Sequence, residues 1–307
     1  MNKKTRYESG PGAASAVAAY LIWGFSPIYW KALQTVPAFE ILMHRMLWSC
    51  VFLVPLLLIT GRWGEFAAAV TDRRKLGVLL ATTLIVACNW FLFIWAITSN
   101  HILQTSLGYF ITPLVNIFLG MIILGERLRR LQVAAVILAG ISVIYLTFLA
   151  GEFPWVALSL AFTFGFYGLI RKVIAVGPLV GLAAESLGLT FFALPYLIYL
   201  DHIGAGHFLR VNISTDLLLM GAVLVTAPPL LFFHWGAKRL HLTTVGFLQY
   251  LAPSCSFLVA LILYHEPLSP ARLHAFGLIW TALGLYSLDS YFHRPNRRHS
   301  ARILSRS

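Results

Sequence analysis

Apolar runs of about 20 residues repeat along the whole chain, separated by short links rich in glycine, proline and charge. A helix rises about 1.5 Å per residue, so each run matches the roughly 30 Å hydrocarbon core of a bilayer. Ten spans are predicted, at 13–32, 38–60, 76–98, 102–124, 130–149, 153–172, 179–200, 215–236, 244–264 and 271–291. The runs do not alternate apolar with polar, which excludes a transmembrane β-barrel. The longest connections lie near 61–75 and 201–214, and no segment reads as a separate soluble domain.

Composition agrees with that pattern. Of the 307 residues 59% are hydrophobic and 11% charged, with a mean hydropathy of +0.79. A soluble chain carries about a quarter charged residues. The net charge of +12 is read as a topology signal rather than a nucleic-acid surface. Nineteen of the 23 Lys and Arg fall on one side when the N-terminus is placed in the cytoplasm. They include Lys3, Lys4 and Arg6, then Arg73, Arg74 and Lys75, then Arg127, Arg129 and Arg130, and the C-terminal arginines from Arg294 onward. Both termini are therefore expected inside. The first run is long enough to span and no small-residue cleavage site follows it, so no removable signal peptide is expected. Cys50, Cys88 and Cys255 stand alone in apolar runs and read as small hydrophobes.

An internal repeat divides the chain. A shift of 140 residues places Phe93 on Phe233, Trp95 on Trp235, His101 on His241, Pro113 on Pro253, Glu126 on Glu266 and Leu128 on Leu268. Near the start of each half the shift is 141, placing Gly24 on Gly165, Phe25 on Phe166, Lys31 on Lys172 and Pro37 on Pro178. Each copy holds five spans, an odd number, so the second copy enters the membrane from the opposite side. The expected fold is an all-α polytopic membrane protein of ten transmembrane helices, built as two inverted five-helix repeats. Residues 1–12 form a cytoplasmic tail, 13–149 and 150–291 the two repeats, and 292–307 a basic cytoplasmic tail. Inverted repeats are the plan of many secondary transporters, with the substrate site near the midplane where the halves meet.

The residues also resemble a family. Two five-helix halves are similar to the EamA-type members of the drug/metabolite transporter superfamily. The run Tyr20-x-x-Trp23-Gly24-x-x-Pro27-x-Tyr29-x-Lys31, then Glu40-x-x-x-His44-Arg45-x-x-Trp48-Ser49, resembles the RarD-type permeases. So do Gln104-Thr105-Ser106-Leu107-Gly108-Tyr109-Phe110-Ile111-x-Pro113-Leu114-x-Asn116, Gly125-Glu126-Arg127-Leu128 and Gln249-Tyr250-x-x-Pro253-Ser254. The resemblance covers the chain apart from its tails. It implies a permease of the bacterial inner membrane. RarD-type proteins carry a description linked to chloramphenicol sensitivity, which is not carried over to this chain as a substrate.

Intramembrane polar groups are the candidate site, because charge inside a bilayer needs a partner, water or a function. Gly24 and Pro27, with Ser26, Tyr29 and Lys31 around them, interrupt the first span, either to open it onto a cavity or as an ordinary kink. Gly165-Phe166-Tyr167-Gly168 holds the matching place in the sixth. Glu40 and His44 share a helix face as a proton relay or an interfacial salt bridge. Arg45 points about 100° away, toward a substrate anion or a carboxylate elsewhere. Glu185 falls on His44 in the repeat and is the second coupling candidate, or a structural carboxylate paired with Lys172. Asn89, Asn116, His234 and Gln249 contact substrate or hydrogen-bond other helices. Trp23, Trp30, Trp95, Trp235, Tyr109 and Tyr250 line a cavity or belong to the interfacial belt. Glu126 and Glu266, at span ends, read as capping or loop groups.

No metal-ligand spacing, nucleophile elbow or P-loop occurs, so neither an enzyme nor an ATP-driven pump is expected. No cofactor and no metal are expected. The expected partners are a small-molecule substrate and membrane lipid, with a homodimer through the fifth and tenth spans as a further option. The reading is a secondary-active permease for a small organic metabolite or drug-like compound, proton-coupled or exchanging. Its alternatives are a passive facilitator and a non-transporting membrane protein, such as an intramembrane enzyme or an assembly partner.

Overall fold

A backbone N–H or C=O left unpaired in hydrocarbon costs several kcal/mol, so apolar runs of this length close into helices. The computed structural model describes residues 9–98, 102–151, 153–265 and 270–292. All secondary structure among them is helical. In order these are α1 (Ser9–Ala32), α2 (Ala38–Ile59), α3 (Trp63–Thr71), α4 (Arg73–Thr98), α5 (Ile102–Ile122), α6 (Arg130–Ala150) and α7 (Trp155–Val173). There follow α8 (Pro178–His202), α9 (Ile213–Gly221), α10 (Ala227–Ala237), α11 (Leu242–Gln249), α12 (Leu251–Ile262) and α13 (Pro270–Phe292). His101, Glu266 and both basic tails lie outside the described residues.

Seven segments among the described residues are long and apolar enough to cross a membrane: α2, most of α4 and α5, α6, α7, α8, and the run α11–α12. Their outer faces carry large exposed side chains, including Phe118, Ile137, Phe148, Phe191, Phe192 and Ile198. Such a surface is an aggregation hazard in water and an ordinary one in lipid. The chain is a multi-pass helical membrane protein.

The helices pack in recurring pairs. α2 lies on α8, α5 on α11, and α6 on α13. α5 also crosses α7 while α1 crosses α12, and α4 packs on α7 while α1 packs on α10. Small residues allow the closest crossings. A Cβ at Gly24 would stand 2.5 Å from Cys255 Cβ, and one at Gly165 would stand 2.7 Å from Val115 Cγ1. Polar groups join helices inside the bundle: Ser142 Oγ donates to the Ala275 carbonyl at 2.9 Å, from α6 to α13.

The elements depart from the sequence expectation in five places, one of them the division of the span placed at 244–264 into α11 and α12 at Tyr250. The first span is not interrupted: α1 runs unbroken through Gly24 and Pro27. Pro27 has no N–H to reach the Trp23 carbonyl, and the Ser26 hydroxyl donates to that carbonyl instead, at 2.7 Å. The sixth span, α7, is likewise continuous through Gly165 and Gly168. The span placed at 215–236 is split into α9 and α10, because Pro228 and Pro229 lack the N–H groups that would continue the helix. The stretch near 61–75, expected as a loop, contains α3, whose Trp63 and Phe66 rings stack 5.1 Å apart.

Candidate functional site

The split between α9 and α10 opens onto a cavity. Its wall takes Arg45, Met46 and Ser49 from α2, Val86 and Trp90 from α4, and Tyr167 from α7. Leu182, Glu185, Ser186 and Leu189 of α8 complete it with Thr226, Ala227 and Leu230 around the split. The cavity itself is small in this conformation, about 20 Å³, room for about one water. Two of the candidate residues named from sequence, Arg45 and Glu185, lie on this wall. Tyr167, Ser49 and Thr226 were not among those candidates.

Glu185 is buried and fully engaged. Its Oε1 accepts from the Thr82 hydroxyl at 2.6 Å and its Oε2 from the Tyr167 hydroxyl at 2.9 Å. Arg171 Nε lies 3.4 Å from Oε1, and both side chains are almost wholly buried. The ion partner is therefore Arg171, not Lys172. Lys172 Nζ instead donates to the Ala237 and Leu240 carbonyls at the end of α10. A cation there complements the negative end of the helix dipole.

Arg45 has no such partner among the described residues. Its Nε is shut off from solvent and makes no hydrogen bond. Its guanidinium sits 4.5 Å from the Trp90 ring centre and 5.8 Å from that of Trp30. One turn further along α2, the Ser49 hydroxyl is also buried and unpaired.

Glu40 and His44 form a different arrangement. Glu40 accepts from the His207 backbone N–H at 2.7 Å and meets His207 Nδ1 at 2.8 Å. His44 Nε2 is 3.9 Å from Glu40, and its ring packs beside Phe208. Both His44 nitrogens are buried without hydrogen bonds. Glu40 thus fastens the segment before α9, which is further held by Asp216 accepting from the Leu209 N–H at 2.7 Å.

The remaining candidates are spread through the bundle. Asn89 donates to the Leu160 carbonyl and to Thr163, joining α4 to α7. Asn116 donates to Gln249 at 2.6 Å, joining α5 to α11. Tyr250 donates to the Phe110 carbonyl at 3.2 Å. Trp23 packs against Phe164 and Phe233. His234 is buried beside Phe233 and Tyr167, one residue removed from the cavity wall. Tyr29 donates to the Leu218 carbonyl of α9, and Lys31 Nζ lies 3.5 Å from the Tyr264 ring centre. Trp95 meets Trp155, and Tyr109 meets Phe93. Among the described residues no three His, Cys, Asp or Glu side chains gather as for a metal ion.

Glu126 caps a helix across the bundle. It accepts from the Leu242 and Thr243 N–H groups at 2.6 and 2.8 Å, at the start of α11. Burial alone would raise its carboxyl, but contacts from His241 and from those two amides outweigh it and hold the group below its ordinary 4.5. Near the end of α10, Lys238 is pushed down to about 8, first by burial and then by Arg171 and Lys172.

A multi-pass helical bundle whose small internal cavity carries two charged side chains in a largely apolar wall fits the frame of a membrane transporter. Residues 10–148 match the model of the EamA-like transporter family. The chain is 44% identical over 281 residues to Protein RarD of Salmonella typhi, covering 92% of this chain and 96% of that protein. It is 45% identical over 278 residues to an uncharacterized transporter of Vibrio cholerae, covering 91% of this chain and 92% of the other. A crystal structure at 17% identity shares the fold, with a TM-score of 0.71 over 92% of this chain and 99% of that one. The chain belongs to the EamA-like transporter family, among its RarD-type members.

Proposed function

We propose that this protein is a secondary permease of the bacterial inner membrane that moves a small organic molecule by alternating access. Ten spans in two inverted halves, with both termini cytoplasmic, fit the helices if α9–α10 and α11–α12 each count as one crossing. The observation that carries the reading is the cavity. Positions that correspond in the proposed repeat line it together: Arg45 and Ser186 at a shift of 141, Val86 and Thr226 and also Trp90 and Leu230 at a shift of 140. The close crossings at Gly24 and Gly165 are related in the same way, Val115 corresponding to Cys255. Such pairing supports two halves rocking about a central site, and the split helix supplies freed carbonyls at that depth. Energy comes from the proton gradient or from exchange, and Glu185, the carboxylate on the wall, is the coupling group in the first case.

Two experiments test this. Reporter fusions after Arg127 and after Leu268 are expected on opposite sides of the membrane; the same side refutes the inversion. A single cysteine at Ser186→Cys, in a chain whose three native cysteines are replaced by alanine, is expected to react with an impermeant thiol reagent from either face. Reaction from one face alone, under every substrate and pH gradient applied, refutes alternating access.

A further inference from the structure

We propose that the cavity binds a monovalent organic anion, a small carboxylate with an aromatic or aliphatic body, and that Arg45 and Ser49 are its ligands. This deepens the permease reading and rests on it. Two charged side chains stand on the cavity wall, Glu185 and Arg45. Glu185 is matched by Arg171 at 3.4 Å, and its oxygens are further occupied by Thr82 and Tyr167. That pair is neutral as a unit. Arg45 makes no ion pair and no hydrogen bond among the described residues, and its Nε is buried. One positive charge is therefore left uncancelled, in a place where an unpaired charge is costly.

Geometry favours a carboxylate over other anions of that charge. A guanidinium presents a planar fork that two carboxylate oxygens fit. Ser49 lies four residues on, so it shares the face of α2, and its unpaired buried hydroxyl is a further donor. The ring of Trp90 flanks the guanidinium, and Met46, Leu189 and Leu230 are apolar neighbours on the wall; the space between them is about 20 Å³ here and must widen to admit an apolar body. A cation would meet Arg45 without compensation. A zwitterion would need a second free carboxylate on this wall, and Glu185 is already occupied.

The test uses three probes of one shape and three charges: phenylacetate, phenylacetamide and phenethylammonium, titrated calorimetrically into the purified full chain in detergent. Phenylacetate is expected to bind at least about 10-fold more tightly than either of the others, the margin of one charge-assisted hydrogen bond. Arg45→Gln is expected to remove the margin, Arg45→Lys to keep part of it, and Ser49→Ala to reduce it while leaving the melting temperature near that of the parent. Equal binding of the three probes, no phenylacetate binding to the folded parent, or an unchanged order in Arg45→Gln overturns the assignment. The Ser186→Cys labelling result is independent of probe charge. Two-sided labelling with no anion preference leaves the permease standing and removes only the anion.

Discussion

Arg171 and Glu185 form an ion pair at 3.4 Å that neither side chain shares with solvent. They come from α7 and α8, and the Thr82 hydroxyl adds α4 to the same junction. Taking two charges out of water is offset only where the remaining bonds are made. Glu185 meets that condition. Arg171 does so in part, with one further bond to the Pro178 carbonyl at 3.3 Å.

Removing one partner should therefore be worse than removing both. Arg171→Met is expected to destabilise the protein by about 3–5 kcal/mol, since it strands a buried carboxylate. The double variant Arg171→Met with Glu185→Leu should recover much of that loss. Thermal unfolding in detergent of the two single variants and the double gives the coupling directly. A double variant as unstable as the sum of the singles would mean the pair is not the unit described here.

Glu185→Gln asks a different question. The amide oxygen can still accept from Thr82, but Arg171 is left without its counter-charge, so a stability loss like that of Arg171→Met is expected and transport is read per folded protein; the titrating group is gone. Transport by this variant is expected to lose its pH dependence. A pH profile identical to that of the parent would remove Glu185 from coupling and favour exchange.

The two glycine crossings respond differently to repair. Gly165→Ala places a methyl 2.7 Å from Val115 Cγ1, the tip of a side chain, and Val115→Ala removes that atom. Gly24→Ala meets Cys255 Cβ at 2.5 Å and the Ala252 carbonyl oxygen at 3.0 Å, which no shortening to alanine relieves. Each single variant should lose about 1–3 kcal/mol of stability. The second-site change should restore the Gly165 variant, whereas Cys255→Ala should leave the Gly24 variant impaired.

The spans are legible in the sequence because about twenty apolar residues in a row are stable chiefly as a helix in hydrocarbon. The proposed repeat rests on Pro, Trp, His and Glu at a constant shift in the sequence. The site is legible only in part. Arg45 and Glu185 stand out as charges within apolar runs. Arg171 does not, because a basic residue at a span end reads as a topology signal, although its side chain turns inward to Glu185. Ser49 carries no signal of its own, since a hydroxyl in a membrane helix usually bonds to its own backbone, and only the structure shows it unpaired. Pro228 and Pro229 are a readable break that the apolar run around them conceals. The tie between Glu40 and His207 joins residues 167 apart and has no counterpart in local sequence. Because of that tie, Glu40→Gln should loosen the 203–212 segment to protease, whereas Arg45→Ala should abolish transport. In sequence alone Glu40, His44 and Arg45 read as a single charge cluster.

Glu126, just past the end of α5, fixes the start of α11, a contact between residues more than 110 apart in the chain. His241, Lys172 and Tyr286 are the titratable groups that face it. A carboxylate on the free amides of a helix start is favoured by both hydrogen bonding and the helix dipole. Because the native carboxyl titrates below its ordinary 4.5, its contribution is present in full above about that pH. It falls away as the pH drops through the lower native value. Glu126→Gln, which keeps one acceptor oxygen, should cost about 1.5–3 kcal/mol at neutral pH. The difference from the parent should shrink on acidification, read as converging melting temperatures below pH about 4.5. A constant difference across that range would mean that the carboxylate charge contributes nothing, and that Glu126 acts only as a pair of acceptor oxygens for the two amides.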